Sequence, residues 1–311
     1  MNILAIETSC DDTCIAIINF SKNKHKVLSS IVSSQVELHR KYGGVYPALA
    51  KREHEKNLPL VLEKALKKAK YPKIDKVAVT IGPGLDPCLW AGVNFAKTLD
   101  CPIIPVNHIE GHLLVNNPKK FPAMALIVSG GHTQLILVKA IGKYKILGET
   151  RDDAAGECLD KVARILGLGY PGGEAIYKKA KLFKGKTTLS LPRPMINQKN
   201  YDFSFSGLKT SVLYSKVENK AEVCKEVQQA IIDVLIKKTI KAMKDYRIDT
   251  LILGGGVSAN KELRKQFKKQ VKNLIVPDPK FSTDNAVMIA LAAYYKKPKK
   301  NIKPDANLRI C

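Results

Sequence analysis

The sequence predicts an α/β protein made of two lobes of related architecture, and three observations support this fold class. The chain has 311 residues, which is enough for two domains of ordinary size. Hydrophobic residues make up 45% of it, enough to fill two cores and too many for an intrinsically disordered chain. Each half contains a strand, a polar turn and a return strand, followed later by a strand, a glycine-rich loop and a helix. This repeat favours duplicated lobes over one continuous sheet.

The first half opens with two apolar runs of strand type, residues 3–6 and 14–18, on either side of the polar turn 7–13. A third strand is predicted near 26–34. Apolar residues at helical spacing, with Lys and Glu on the other side, predict a helix over 47–70. The remaining predicted elements of this half are strand 76–81, which ends at Gly82-Pro83-Gly84, helix 87–99 and strand 103–106.

The second half repeats this order with helices inserted. Strand 123–128 is followed by the glycine-bearing turn 129–133 and by the return strand 134–139. Much later, strand 249–253 enters a run of three glycines at 254–256, and a helix is predicted over 258–272. The inserted helices are predicted over 157–167, 173–183, 206–217 and 221–245.

The predicted lobes are divided at two places in the chain. Residues 1–106 and 288–311 are expected to form the first lobe, and residues 107–287 the second lobe with its helical insertions. Ligands of open α/β sheets bind at the carboxyl ends of strands, where glycine-bearing turns lie. Four such turns, two in each lobe, are expected to converge on a central cleft. Hairpin turns there can donate backbone N–H groups to a phosphate.

Net charge gives a weaker indication of function. Lys and Arg total 52 and Asp and Glu total 28, so the formal net charge is +24. A polyanionic partner such as nucleic acid would explain this excess. Only eight of the basic residues are Arg, the better bidentate ligand of phosphate, so a lysine-coated surface or a biased composition explains it too. Charge alone leaves nucleic-acid binding open.

The sequence indicates a cytoplasmic protein with no membrane association. Its first residues include no basic leader, and no segment approaches roughly 18 uninterrupted apolar residues, the length that crosses a bilayer. The seven cysteines form no C-x-x-C pair and no zinc-cluster spacing. We therefore expect reduced thiols rather than disulfides.

A histidine pair is the clearest candidate for metal chemistry. His108 and His112 are four residues apart, so on a helix their rings lie one above the other and can share a metal. A metallopeptidase H-E-x-x-H motif requires Glu directly after the first His, whereas Glu110 lies two residues along. Asp284 is the candidate third ligand, with the N-cap of the last helix as its alternative role.

The layout of the two lobes resembles the actin-like ATPase superfamily, whose lobes have a ribonuclease H-like fold. This resemblance leaves open an ATPase or a sugar-kinase-like nucleotide-binding protein. The two histidines argue against that alternative, because such ATPases hold Mg²⁺ largely through phosphates and acidic residues.

Nine segments in order make the resemblance more specific. Together they resemble the tRNA N6-adenosine threonylcarbamoyltransferase family, and they span most of the chain. The segments are IETSCDDT at 6–13, GGVYPALAKREH at 43–54, GPGL at 82–85, HIEGH at 108–112, LIVSGGHTQLI at 126–136, DDAAGECLDKVAR at 152–164 followed by YPGG, FSFSGLKT at 203–210, GGGVSANKELR at 254–264 and STDNAVMIA at 282–290.

The resemblance implies a transferase with the two-lobed actin-like fold. It would move a threonylcarbamoyl group from threonylcarbamoyl-adenylate to N6 of adenosine 37, in tRNAs that read codons beginning with A, and release AMP. The implied metal ligands are His108, His112 and Asp284, and the implied catalytic acids are Asp11 and Asp12. The implied substrate-binding residues are Ile127, Val128, Ser129, Gly130, Gly131, Asp160, Gly173 and Asn260.

The resemblance also implies cofactors and partners. One divalent metal ion per subunit is expected, either Fe²⁺ or Zn²⁺, with Mg²⁺ accompanying a nucleotide as a further option. The expected partners are tRNA, threonylcarbamoyl-adenylate with AMP or ATP, a catalytically degenerate paralogue and a small ATPase. Ile127 replaces a metal-ligating Tyr of the archaeal–eukaryotic branch, and with His132 it favours the bacterial and organellar type. Asp12 stands where many bacterial members have Glu, which shortens its reach by one methylene.

Overall fold

The computed structural model describes residues 1–22, 24–215 and 218–310. Contacts divide the chain into a first unit, residues 1–117 with 283–310, and a second unit, residues 118–282. The first boundary lies later than the predicted one after residue 106, because the helix that begins at His108 packs on the last helix of the chain. The predicted lobe boundaries and the predicted central cleft stay predictions.

The first unit contains a five-stranded sheet with strand order β3-β2-β1-β4-β5. The strands β1, β2 and β3 pair antiparallel, while β4 is parallel to β1 and β5 is parallel to β4. This confirms the predicted strand–turn–strand unit and the later strands predicted at 76–81 and 103–106. The strands are β1 Asn2–Glu7, β2 Asp12–Ser21, β3 Lys24–Ser34, β4 Lys76–Gly82 and β5 Ile103–Asn107.

The second unit repeats the same topology in the order β10-β9-β6-β7-β8. Here β6, β7 and β8 pair antiparallel, β9 is parallel to β6, and β10 is parallel to β9. The edge strands β8 and β10 were not predicted, because Lys interrupts the apolar residues of β8 and because β10 is only three residues long. The strands are β6 Ala123–Val128, β7 Thr133–Ala140, β8 Lys143–Glu149, β9 Thr250–Gly254 and β10 Asn273–Ile275.

Helices cover both sheets. In the first unit, α2 packs against β2 and α3, and α10 packs against α4 and β1. In the second unit, α8 packs against α6 and β6. The helices are α1 Val36–Arg40, α2 Pro47–Lys68, α3 Asp86–Lys97, α4 His108–Leu114, α5 Ala155–Ile165, α6 Gly172–Ala180, α7 Ser206–Leu213, α8 Lys220–Asp245, α9 Lys261–Lys268 and α10 Ala286–Ala293.

Two helices differ from their predicted bounds. The predicted helix over 258–272 is wrong at both ends: a 3₁₀ turn occupies Gly256–Ala259, and α9 is only eight residues long. The side chain of Asn260 accepts hydrogen bonds from the first turn of α9, so the helix begins there and not earlier. The predicted helix over 206–217 ends at α7's Leu213, and residues 216–217 lie outside the described residues.

Each unit has its own hydrophobic core. In the first unit, apolar side chains of β1, β2 and β4 that include Ile6, Ile17 and Val79 pack with Leu58 and Val61 of α2. In the second unit, side chains of β6, β7 and β9 pack with α5 and the long helix α8. Across the three described stretches of the chain, no helix is both long and apolar enough to cross a membrane.

Candidate functional site

The carboxyl end of β5 presents the histidine pair. Asn107 ends the strand, and its side-chain oxygen accepts hydrogen bonds from the backbone N–H groups of Ile109 and Glu110 at 2.9 and 3.2 Å. This cap starts α4 directly at His108. One helical turn separates His108 from His112, as predicted, and their ring centroids lie 4.6 Å apart at an interplanar angle of 87°.

Asp284 completes a set of three metal-type ligands. Its Oδ1 lies 3.6 Å from Nε2 of His108 and 3.1 Å from Nε2 of His112, and the three ligand atoms lie within 4.8 Å of one another. The N-cap alternative for Asp284 is wrong, because Asn285 caps α10 by accepting from the N–H of Met288. The Asp284 carboxylate is therefore not used in helix capping.

The residues present fit a divalent metal ion. His112 is buried. Within the described part of the chain its Nδ1 makes no hydrogen bond, and its Nε2 lies 3.1 Å from Asp284 Oδ1 without hydrogen-bond geometry. Buried polar atoms are rarely left without a partner unless a ligand satisfies them. Two imidazoles and a carboxylate form a donor set that suits Zn²⁺ or Fe²⁺.

A glycine allows the two ligand-bearing helices to approach closely. A Cβ atom at Gly111 would lie 3.0 Å from Cδ1 of Ile289 and 3.1 Å from Cγ of Met288. Both neighbours belong to α10, which begins two residues after Asp284. A larger residue between the two histidines would therefore push α4 away from the segment that carries the third ligand.

A buried carboxylate orients the first histidine. Glu7, at the end of β1, lies 3.0 Å from Nδ1 of His108 and accepts hydrogen bonds from Ser9 N–H and Thr80 Oγ1, each at 2.6 Å. Since Nδ1 faces this carboxylate, Nε2 is left to face Asp284. Burial alone would lower the pKa of His108, but the Glu7 and Asp284 carboxylates outweigh burial and raise the pKa to about 9.

The turn between β1 and β2 carries the predicted catalytic acids. Asp11 Oδ2 and Asp12 Oδ1 are buried and make no hydrogen bond to the described residues. Burial raises the pKa of both carboxyls, and the charge of Asp284 adds to each shift. The pKa of Asp12 reaches about 7 despite a hydrogen bond from Ser34. The Cys14 thiol, just after the turn, contacts the Asp284 carbonyl oxygen at 3.7 Å, so the acids and the metal-type ligands are neighbours.

Two buried residues, His54 and Gln35, hold this acidic turn. His54 donates from Nε2 to the carbonyl oxygen of Cys10 at 2.9 Å and accepts at Nδ1 from Thr13 Oγ1 at 2.8 Å. Burial lowers the pKa of His54, so the ring is neutral and can donate from one nitrogen while it accepts at the other. The backbone N–H of Gln35 donates to the Asp11 carbonyl oxygen at 3.1 Å. The turn is therefore fixed on both sides of its two acids.

Glu110 has a structural role. It is buried and forms a 2.7 Å ion pair with Lys296, which follows the last helix. A carboxylate held in this way is not available as a general base beside His108 and His112. The geometry agrees with the sequence argument against a metallopeptidase.

In the second unit, Gly156 and Gly255 pack closely against the backbone of the turn between β6 and β7. Ser129 N–H donates to the His132 carbonyl oxygen at 2.8 Å, and Gly156 N–H donates to the Ser129 carbonyl oxygen at 3.1 Å. A Cβ at Gly156 would lie 2.5 Å from that same oxygen, and a Cβ at Gly255 would lie 2.4 Å from the Val128 carbonyl oxygen. These close approaches bring the start of α5 and the loop after β9 against the turn.

The glycines of this turn are open. Around Gly130 and Gly131, an added Cβ would meet nothing within 4 Å. Neither N–H group makes a hydrogen bond to the described residues, whereas the Ser129 N–H is used inside the turn and cannot serve a phosphate. Ile127 and Val128 are fully buried at the end of β6, where both pair with β7, so they support the turn from behind.

The other three predicted substrate-binding positions lie on the helices behind this turn. Asp160 on α5 accepts a hydrogen bond from Gly172 N–H at 2.7 Å, which places it beside Gly173 at the start of α6. Asn260 uses its side-chain oxygen to cap α9 and donates from Nδ2 to Gln228 at 2.8 Å. The structure therefore gathers all eight positions at or behind the carboxyl ends of β6 and β9.

Several supporting residues escaped sequence reasoning. Glu7, Thr80, Gln35 and His54 were not singled out. Glu7 contacts His108 and Gln35 contacts the backbone of Asp11, while Thr80 bonds to Glu7 and His54 bonds to the Cys10 carbonyl oxygen. The available signal was weak: polar residues at the ends of apolar strands, and a histidine on the buried face of an amphipathic helix. No feature of the sequence pattern indicated a role for Gly156.

Solved structures confirm the fold class. The activator of the 2-hydroxyisocaproyl-CoA dehydratase from Clostridium difficile superposes with a TM-score of 0.55 at 16% identity, covering 94% of each chain. Component A of the Acidaminococcus fermentans (R)-2-hydroxyglutaryl-CoA dehydratase gives 0.58 at 14% identity, covering 94% of this chain and 98% of its own. These likenesses concern the fold alone, the actin-like architecture with two lobes.

Sequence relatives identify the family. The family model for tRNA N6-adenosine threonylcarbamoyltransferase matches residues 26–291. The enzyme of that name from Thermosipho africanus is 46% identical over 99% of this chain and 98% of its own length. The one from Listeria monocytogenes is 45% identical over 93% of this chain and 90% of its own. Matches of this extent place the chain in the tRNA N6-adenosine threonylcarbamoyltransferase family, and it is a transferase that modifies tRNA.

Proposed function

We propose that this chain transfers the threonylcarbamoyl group of threonylcarbamoyl-adenylate to N6 of adenosine 37, in tRNAs that read codons beginning with A, and releases AMP. The observation that carries this proposal is the set of His108, His112 and Asp284 next to two buried acids, in a member of a tRNA-modifying family. The donor is a mixed anhydride with a good leaving group, so the protein's main tasks are positioning and charge stabilisation.

The glycine-bearing turn of the second unit would hold the donor phosphate. The free N–H groups of Gly130 and Gly131 are suited to an anion, and the Ser129 hydroxyl, which accepts from His132 N–H, keeps its own proton to donate. Asp160 and Asn260 would contact the ribose or the base with the hydrogen-bonding capacity their structural partners leave. Gly173 would leave room for the adenosine.

His108, His112 and Asp284 would hold one divalent ion per subunit, Fe²⁺ or Zn²⁺, with Mg²⁺ accompanying a nucleotide as the further option. When bound, such an ion supplies Lewis acidity toward a carbonyl or phosphate oxygen. Glu7 would keep the Nδ1 side of His108 occupied, so that the Nε2 side faces the ion.

Asp11 and Asp12 would act on the acceptor amine. The adenosine amine is a weak nucleophile, because its lone pair is delocalised into the purine. A carboxylate that accepts a hydrogen bond from this amine would orient it and take its proton late in the reaction. Asp11 Oδ2 is our first candidate, since it is buried without a partner, and the raised pKa of Asp12 supports a share in the same task.

The partners follow from this reaction. The tRNA would supply the acceptor, and we propose that the reaction takes place in the cytoplasm. The donor and its product AMP, or ATP in their place, would occupy the same nucleotide site. A catalytically degenerate paralogue and a small ATPase of the same pathway would assemble with the chain and support turnover.

A direct assay tests the proposal. The protein, loaded with metal, is incubated with threonylcarbamoyl-adenylate and unmodified tRNA, with and without the partner proteins, and the nucleosides are analysed by mass spectrometry. We expect the modified adenosine, and we expect His108→Ala to abolish it while the far-ultraviolet circular dichroism stays unchanged. Full transfer by His108→Ala without bound metal would contradict the metal assignment.

The same assay separates the alternatives. An actin-superfamily ATPase or kinase-like protein would turn over ATP steadily without tRNA, and a metallopeptidase would cleave a protein substrate in a metal-dependent way. Steady ATP hydrolysis or proteolysis without any modified nucleoside would overturn the proposed function.

A further inference from the structure

Two tyrosine side chains project from the loop between α1 and α2 into solvent. Tyr42 is 61% exposed and Tyr46 is 57% exposed. Their ring centroids lie 6.1 Å apart, and their planes are inclined by only 27°. Two large, roughly parallel rings at the surface present flat apolar faces to whatever binds there.

The backbone that carries these rings is held in place. Tyr42 N–H donates to the His39 carbonyl oxygen at 3.0 Å, and Tyr46 N–H donates to Nδ1 of the same buried histidine at 3.3 Å. Gly43 has a φ of +65°, which allows the chain to reverse between the tyrosines. The rings are therefore presented from an ordered turn, which reduces the entropy lost when a ligand binds.

This loop is connected to the acidic turn. Nε2 of His39 donates to the side-chain oxygen of Gln35 at 3.0 Å, and the backbone N–H of Gln35 donates to the Asp11 carbonyl oxygen at 3.1 Å. Only two buried residues, Gln35 and His39, separate the backbone of Tyr46 from that of Asp11. The tyrosine loop is thus joined through buried residues to the turn whose acids are proposed to act on the acceptor amine.

Exposed cations accompany the rings. Lys41 precedes Tyr42 in the loop, and Arg52 is exposed in the first half of α2, which begins directly after Tyr46. Arg40 is also exposed, although it pairs with Glu37 at 2.7 Å. Aromatic faces beside basic side chains are the combination that binds single-stranded nucleic acid, because bases stack on the rings and phosphates meet the cations.

We propose that Tyr42 and Tyr46 form a stacking platform for an unpaired base of the tRNA loop, next to the acceptor adenosine. This inference rests on the proposed function and extends it to how the tRNA is positioned. Stacking is tolerant of base identity, so the platform would orient the loop while the nucleotide sequence is read elsewhere. The platform makes no covalent step; it binds the acceptor strand and leaves the donor site unchanged.

Steady-state kinetics test the platform first. In the double variant Tyr42→Leu/Tyr46→Leu, which keeps apolar bulk but removes the ring faces, we expect the KM for tRNA to rise about 10- to 100-fold. The KM for threonylcarbamoyl-adenylate and the metal content should not change. Tyr42→Phe/Tyr46→Phe keeps both ring faces and should restore the wild-type KM. Tyr71→Leu is the matched control, since Tyr71 is 58% exposed but bonds to Glu63, whose charge disfavours a phosphate.

Fluorescence then reports on stacking directly. An unmodified anticodon stem-loop carries 2-aminopurine on either side of the acceptor adenosine, and stacking on a tyrosine quenches it. We expect quenching with the wild-type chain and the Phe variant, and none with the Leu variant. Wild-type KM and quenching in the Leu variant would overturn the platform, as would loss of partner-protein binding with unchanged tRNA affinity. Absence of transfer and of tRNA binding by the wild-type chain would instead overturn the proposed function.

Discussion

The two units have the same sheet topology but differ in the turn between their first two strands. In the first unit, residues 8–11 lie between β1 and β2, and this turn and its flanks carry Glu7, Asp11 and Asp12. In the second unit, residues 129–132 lie between β6 and β7 and contain two adjacent glycines and no acid. The same position in a duplicated fold thus presents carboxylates in one unit and open N–H groups in the other.

The fold therefore sets the position of this turn in each unit, and the residues of the turn set its charge. Burial raises the pKa values of Asp11 and Asp12, so their charged forms are destabilised, and a bound cation would relieve that cost. The open N–H groups at Gly130 and Gly131 carry partial positive charge and suit a phosphate. A duplicated lobe can therefore serve a metal with one copy and a nucleotide with the other.

Removing a metal ligand should have the largest effect on activity. The structural consequence of that change should be confined to the first unit. In His112→Ala we expect loss of the bound ion and a fall in kcat/KM of about 100-fold or more, because Lewis-acid stabilisation is lost. Metal content is measured by mass spectrometry of the purified protein, and donor affinity by calorimetry. Donor affinity should hold within a few-fold if the second unit carries the nucleotide site.

His25→Ala is the matched control for this experiment, since His25 is exposed on β3 and away from the three ligands. It should keep both metal and activity. A His112→Ala variant that still binds one ion per chain would show that the first unit is not the metal-binding copy.

Adding a charge to the glycine turn should have the next largest effect. An aspartate at position 130 meets open space, so Gly130→Asp should fold, but its charge should repel the donor phosphate and raise the donor KM about 10-fold. Gly130→Asn has the same shape without the charge and should stay near wild type. Metal content should be unaffected by both variants. Equal donor KM values for the Asp and Asn variants would argue against phosphate binding at this turn.

The elements that the sequence predicted are those whose signal is local. The apolar runs of β1, β2 and β6 and the i,i+4 spacing of His108 and His112 need no tertiary information. The start of α9 was missed because the positive φ of Gly255 and the cap at Asn260 interrupt an otherwise helical pattern.

The supporting contacts of the site could not be predicted in the same way. Glu7 reaches His108 across 101 positions of sequence, and it does so only because β1, β4 and β5 are adjacent in the sheet. The hydrogen bond from Ser129 N–H to the His132 carbonyl oxygen, which makes that N–H unavailable to a ligand, is likewise visible only from the backbone geometry. The family resemblance implied the metal ligands, whereas the structure shows the side chains, such as Glu7, that orient them.

The smallest effect we predict is on thermal stability: replacing an acid by Asn should raise Tm at Asp12 of the first unit and lower it at Asp152 of the second. Asp12 has a pKa raised to about 7, so its burial costs stability that grows above the unfolded-state pKa near 4 and is complete above pH 7. In the metal-free protein, Asp12→Asn should therefore raise Tm by about 2–4 °C at pH 8 and far less at pH 4.5.

Asp152 is the opposite case: burial would raise its pKa, but hydrogen bonds from Ser204, Phe205 N–H and Ser206 outweigh burial and lower the pKa. That carboxylate contributes stability above its unfolded-state pKa, so Asp152→Asn should lower Tm at pH 8, and the loss should shrink as the pH falls into the acid range. Thermal melts of both variants at the two pH values check this, and equal signs at pH 8 would mean that the acidic turn is not strained by its own charge.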